Sequence, residues 1–180
     1  MRSEIPLMEP IRGVREEFGD LAGRFGAELV QYAFTRGISF HDAQDIVQRT
    51  FLKAWDVFQS GARPENPRAW LYRIVLHEAS NERRASNTRR RARSILAGRD
   101  SSPPAEPAVT EEFRRTLDAV QALPPPYSES IALHYLQGLS IEETAAVLEI
   151  PSGTAKSQIA RGLTLLRSKL HPLQGEEKSP

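Results

Sequence analysis

The sequence predicts an all-α fold: two small helical domains joined by a flexible linker. Three observations carry that expectation. Apolar residues recur at intervals of three and four along most of the chain, and no stretch shows the alternation of a half-buried strand. Residues 101–110 (SSPPAEPAVT) hold three prolines and no bulky apolar cluster, so they interrupt the helical pattern with linker chemistry. The 180 residues are 39% hydrophobic and 26% charged, an ordinary globular composition that suits one domain or two small ones.

The elements follow in order. Phe18, Leu21, Ala22, Phe25, Leu29, Tyr32 and Ala33 form one apolar stripe over residues 16–35. Arg36-Gly37 ends it with a cation and a residue tolerant of the left-handed conformation. Ser39 can cap a second helix whose inner face is Ile46/Val47, Thr50/Phe51, Ala54/Trp55 and Phe58. Asn66-Pro67 opens a third, running to about residue 90, with Trp70/Leu71, Ile74/Val75 and Glu78/Ala79 on its buried side. Beyond the linker, Thr110 caps a helix with Phe113, Leu117, Val120 and Leu123 inward, stopped by Pro124-Pro125-Pro126. Ser128 is expected to cap the next, with Ile131, Leu133, Tyr135 and Leu136, ending at Gly138.

Residues 140–167 have the form of a helix-turn-helix. Ser140-Ile141-Glu142-Glu143 is a capping box, and the short helix it opens ends near Glu149. Pro151-Ser152-Gly153 is the turn. A longer helix from about Gly153 to Leu170 turns Ala155, Ile159, Leu163, Leu166 and Leu170 inward. Ser152 and Thr154 stand at its N-terminus, where backbone and hydroxyl donors suit a phosphate. Lys156, Ser157, Gln158, Ala160 and Arg161 face outward, and side chains of these types can read base edges in a major groove. An ordinary helical hairpin with a polar outer face satisfies the same spacing.

Net charge is +1, from 24 basic and 23 acidic residues, but the charge is segregated. Residues 83–99 (RRASNTRRRARSILAGR) hold seven arginines and no acid, which leaves 17 basic and 23 acidic residues elsewhere. One arginine block in an otherwise acidic chain suggests a local polyanion contact, and the guanidinium fork suits phosphate better than lysine does.

Several chemistries are not expected. The chain has no cysteine, hence no disulfide, thiolate zinc site or cysteine nucleophile. His41, His77, His134 and His171 are scattered without metal-ligand spacing. No phosphate-cradling glycine loop or nucleophile elbow occurs. The expectation is a non-enzymatic DNA-binding protein without metal or cofactor. No apolar run approaches the roughly 18 residues of a membrane span, and residues 1–15 lack the long apolar stretch of a secretory signal.

On these residues the chain resembles a family. DAQDIVQRTFLKAWDVF (42–58) and PRAWLYRIVLHEASNERR (67–84) are similar to the domain-2 stretches of bacterial extracytoplasmic-function (ECF) sigma factors of the sigma-70 family. Residues 122–170 are similar to their domain 4. The resemblance implies an N-terminal tail (1–15), domain 2 (16–93), a linker (94–110), domain 4 (111–171) and a C-terminal tail (172–180). It implies a cytoplasmic protein that binds core RNA polymerase and promoter DNA, with an anti-sigma factor as a further partner. Domain 2 would read and melt the −10 element through Arg73, His77, Asn81, Arg83 and Arg84. Domain 4 would read the −35 element through Ser152, Thr154, Lys156, Ser157, Gln158 and Arg161. Asp42, Asp45, Gln48, Arg49 and Lys53 would meet the clamp of the largest polymerase subunit. Arg49 stands where the family usually has an acid, and His77 where many relatives have asparagine. Without the anti-sigma partner, the two domains are expected to move independently about 94–110. The competing classes are a stand-alone dimeric helix-turn-helix regulator and a DNA-processing enzyme.

Overall fold

The computed structural model describes residues 9–96 and 110–170, with side chains described for 13–86 and 110–170. Among these residues every regular element is a helix: α1 (Glu9–Thr35), α2 (Phe40–Gln59), α3 (Pro67–Leu96), α4 (Glu111–Gln121), α5 (Pro125–Ile131), α6 (Ile141–Leu148) and α7 (Ser152–Leu170). A π-helical turn, Ala132–Leu136, continues α5.

Local chemistry accounts for most boundaries. Gly37 takes φ +75° behind α1, the conformation in which glycine escapes the Cβ penalty. Ser39 accepts the Asp42 amide at 3.2 Å and so starts α2. Asn66 does the same for α3 through the Ala69 amide at 3.0 Å, and Thr110 for α4 through Phe113 at 3.2 Å.

Three boundaries differ from the sequence expectation. Helix α1 starts at Glu9 instead of residue 16, with Pro10 in a first turn where its missing N–H costs nothing. Helix α3 continues to Leu96 instead of about 90; residues 97–109, which hold most of the expected linker, lie outside the described residues. The three prolines end α4 but also open α5, which runs from Pro125 with no side-chain cap. Ser128, expected as that cap, lies inside the helix and donates to the Pro125 carbonyl at 3.2 Å. Prolines fit a first turn as readily as they terminate a preceding one.

The first three helices pack around Leu29, Tyr32, Ile46, Leu71, Tyr72 and Val75, all fully buried. Phe18 meets Phe51, Trp55 and Phe58 edge-on at one end. The second set packs around Leu117, Val120, Ile131, Leu133, Leu139 and Val147. Tyr135 is 53% exposed and Leu170 is exposed too, contrary to the inward positions expected of both.

In the structure the two helical sets lie packed against each other. One hydrophobic core runs through both helical sets, and α3 packs on α6. Arg68 Nη2 donates to the Gln137 carbonyl at 2.8 Å. Tyr72 Oη donates to Gln137 Oε1 at 3.2 Å, and Gln121 Nε2 to the Thr35 carbonyl at 3.1 Å. The reason is that α1 and α3 carry apolar and polar groups at their ends that are satisfied only against the second set.

Candidate nucleic-acid interface

The helix-turn-helix is assembled as its sequence requires. The capping box closes both ways, with Ser140 Oγ accepting from the Glu143 amide at 3.0 Å and Glu143 Oε2 from the Ser140 amide at 2.9 Å. That backbone contact is the largest influence holding the Glu143 carboxyl below its ordinary range; Asn66 and Arg68 add to it against the opposing effect of burial. Glu149 ends α6 in the left-handed conformation at φ 55°. The Pro151 carbonyl then accepts from Thr154 and Ala155 at 2.9 and 3.0 Å to start α7.

Ala155, Ile159, Gly162 and Leu166 seat α7 on the bundle. Ser152, Thr154, Lys156, Ser157, Ala160 and Arg161 are exposed. Ser157 Oγ donates back to the Thr154 carbonyl at 2.9 Å, so its oxygen is left outward as an acceptor. Gln158 is placed differently from the expectation. It lies on the half-buried flank, and its Oε1 accepts from buried Ser130 Oγ at 2.7 Å. Its carbonyl end therefore serves the junction of α5 and α7, one residue spacing away from the outward face.

On α3, Arg73, His77, Asn81 and Arg84 fall at intervals of four, four and three, one continuous stripe. His77, Asn81 and Arg84 are exposed. Arg73 is half-buried and pairs with Glu149 at 3.2 Å. Arg83 leaves the stripe. It lines a cavity of about 390 Å³ with Thr35, Arg36, Gly37 and Gln121, between the two helical sets. Residues 87–99, most of the arginine block, lie outside the described side chains.

On α2, Asp42, Gln48, Arg49 and Lys53 are exposed and Asp45 is half-buried. Two of these are engaged within the chain. Arg49 Nε pairs with Glu78 Oε2 at 3.3 Å and its Nη2 with Glu82 Oε2 at 3.7 Å, while Lys53 Nζ pairs with Glu78 Oε1. Burial works to raise the Glu78 carboxyl, but Lys53 and Arg49 together hold it below its ordinary value. An acid on the inner stripe of α3 was the available signal that a cation would reach it from a neighbouring helix. Leu52, which the motif reading passed over, is 66% exposed beside Gln48 and Lys53.

The described residues thus define a class: a helical protein with a helix-turn-helix and a separate polar, cationic helix stripe, both suited to nucleic acid. The comparisons with known proteins resolve that class to a family. Residues 21–91 match the model for Sigma-70 region 2 and residues 113–166 that for Sigma-70, region 4. The ECF RNA polymerase sigma-E factor of Haemophilus influenzae is 30% identical, over 90% of this chain and 92% of that protein. The factor of the same name from Escherichia coli K12 is 29% identical, over 90% and 91%. Among solved structures, CnrH in complex with the cytosolic domain of CnrY is 28% identical with a TM-score of 0.66, over 88% of this chain and 90% of that one. The sigma factor RpoE from Bartonella quintana, in complex with the anti-sigma factor NepR, shares the fold at a TM-score of 0.68 and 24% identity, over 86% and 97%. The chain belongs to the ECF sigma factors of the sigma-70 family and directs promoter-specific transcription.

Proposed function

We propose that the three surfaces divide the work of initiation. Residues 16–93 form a unit that binds core RNA polymerase and reads the −10 element; 111–171 form one that reads the −35 element, joined through 94–110. The outward face of α7, with Lys156, Ser157 and Arg161 over a fully buried Ala155, enters the major groove. Ser152 and Thr154 hold the flanking phosphate at the helix start. Gln158, committed to Ser130, orients the helix and leaves base contact to its neighbours.

Along α3, Arg73 and Arg84 give the melted strand a cationic path, and His77 and Asn81 offer ring and amide to an extruded base. The polymerase surface is α2. Asp42, Asp45 and Gln48 supply its polar contacts and exposed Leu52 its apolar centre, while Arg49 and Lys53 brace α2 on α3. The protein acts by binding and not as a catalyst. It works in the cytoplasm and is held in reserve by an anti-sigma factor, as CnrH and RpoE are seen with CnrY and NepR. No described helix is long and apolar enough to cross a membrane.

The observation that carries this reading is the α3 stripe of Arg73, His77, Asn81 and Arg84 together with the exposed α7 face, two nucleic-acid surfaces in one chain. Run-off transcription with core polymerase tests it. Specific transcripts and footprints at both elements are expected only when the chain is added. Tight binding to a palindromic site without polymerase would replace it with the dimeric-regulator reading.

A further inference from the structure

We propose that the cavity lined by Arg36 and Arg83 binds a small hydroxylated phosphate ester, its phosphate held between the two guanidiniums. None of the lining residues belongs to the α7 face, the α3 stripe or the α2 surface, so the ligand adds to the chain a site outside those three.

The cavity of about 390 Å³ receives Arg36 from the end of α1 and Arg83 from α3, and its size falls in the range of small-molecule sites, roughly 300–1,000 Å³. Two cations brought to one enclosed space repel each other, and the fold offsets only one of them. Arg36 Nη2 pairs with Glu129 Oε1 at 2.9 Å. Arg83 makes no ion pair or hydrogen bond among the described residues. One positive charge is therefore left uncompensated at the cavity.

Arg36 is also incompletely satisfied. Its side chain is 6% exposed, and its Nε is buried with no hydrogen-bond partner among the described residues. A buried charged donor without an acceptor is costly to hold. The Tyr32 ring lies 5.9 Å from Arg36 Cζ, but Tyr32 Oη is itself unpartnered and does not serve as that acceptor. An oxyanion in the cavity supplies what both arginines lack. A phosphate monoester carries about −1.5 to −2 charge at neutral pH and three acceptor oxygens, enough to meet two guanidinium forks together. A carboxylate brings two oxygens and a single charge, which Glu129 already contributes.

The rest of the wall describes the body of the ligand. Ser128 Oγ donates to the Pro125 carbonyl at 3.2 Å, and Gln121 Nε2 donates to the Thr35 carbonyl at 3.1 Å. Both side chains line the cavity, and with their donors spent their oxygens remain as acceptors, which hydroxyl groups satisfy. Val120, Leu123 and Ala132 supply the apolar part of the wall. Arg36, deep in the wall, is reached by a free molecule and not by a backbone phosphate flanked on both sides by nucleotides.

The test titrates the full chain with glycerol phosphate at fixed ionic strength and follows binding by the phosphorus NMR linewidth. Saturable binding is expected, with a melting temperature that rises with ligand concentration by mass action. Glycerol alone and a short single-stranded oligonucleotide without terminal phosphate are expected not to displace the ester. Arg83→Gln removes one guanidinium, and Ser128→Asp sets a carboxylate against the phosphate. Neither position is buried, and an acid in the short helix that Pro125 opens suits its dipole, so both variants are expected to keep the parental melting temperature without ligand. Each should weaken binding about tenfold or more, the effect of losing or opposing a charge-assisted hydrogen bond.

Broadening that grows without saturation overturns the site, as does parental affinity in either variant. Displacement of the ester by glycerol removes the phosphate from the recognition and overturns it equally. Displacement by the oligonucleotide assigns the two arginines to nucleic-acid backbone and ends the proposal of a free small molecule.

Discussion

Gly162 of the recognition helix faces Ile131 so closely that a Cβ on the glycine would stand 2.8 Å from Ile131 Cγ1 and 3.2 Å from Tyr127 Cβ. This crossing of α5 and α7 sets the angle at which Arg161 and Ser157 leave the protein. Alanine would gain up to about 1 kcal/mol in helix propensity. Overpacking a buried site typically costs about 1–3 kcal/mol, and Ile131, 1% exposed, has little room to yield. Gly162→Ala is therefore expected to lower the melting temperature by several degrees and to weaken upstream-element binding together with it. A raised melting temperature would show that the crossing has slack.

Arg161 and Lys156 are predicted to fail differently. Arg161→Ala should lose roughly 1–3 kcal/mol of discrimination between matched and mismatched upstream elements. Lys156→Ala, if it holds phosphate, should weaken all sequences alike and reduce the salt slope by about one. Competition binding of the polymerase complex at several salt concentrations measures both. Both side chains are exposed, so thermal stability should stay within about 0.5 kcal/mol in either variant.

Much of this was legible in the residues themselves. The capping box at Ser140 and Glu143, the Asn66-Pro67 opening and the buried positions Ala155, Ile159 and Leu166 are local signals, and each stands as read. What escaped was long-range. Nothing near Gln158 in sequence announces Ser130, 28 residues earlier, as its partner. Nothing beside Arg49 announces Glu78, 29 residues later on the buried side of α3, as its counter-charge. The docking of the halves escaped for the same reason. Gln137, Glu129 and Glu149 are unremarkable polar residues until Tyr72, Arg36 and Arg73 are brought against them.

Acid should loosen the protein through two carboxylates. Glu78 and Glu143 both sit below their ordinary range in the folded state, Glu78 because Lys53 and Arg49 prevail over burial, Glu143 chiefly through the Ser140 amide. A depressed carboxyl adds stability that is fully present above its unfolded value, about 4.3 for glutamate, and that is lost as pH falls through the folded value. Thermal unfolding should thus be nearly flat through neutral pH on account of these groups and fall below about pH 4.5. In Glu78→Gln the fall should be shallower, and stability at neutral pH lower, because Arg49 and Lys53 lose their counter-charge. An acid limb identical to that of the parent would remove Glu78 from the account.

His77 offers the sharpest separation of base from backbone contact. It stands on the α3 stripe between Arg73 and Arg84, exposed, where a ring can stack on or hydrogen-bond an extruded base. Base stacking on an aromatic ring is worth roughly 1–3 kcal/mol when replaced by alanine. His77→Ala should therefore slow formation of the open complex and relax preference at one downstream position while leaving the salt slope unaltered, since no phosphate contact is lost. Arg84→Ala should do the reverse, reducing the slope by about 0.7–0.9 with sequence preference intact. His77→Asn keeps a hydrogen-bonding group and gives up the ring, so it decides between the two modes. Recovery of preference by asparagine assigns an edge contact, and continued loss assigns stacking. If His77→Ala changed only the salt slope, the imidazole would belong to the cationic path and the reading head would lie elsewhere on α3.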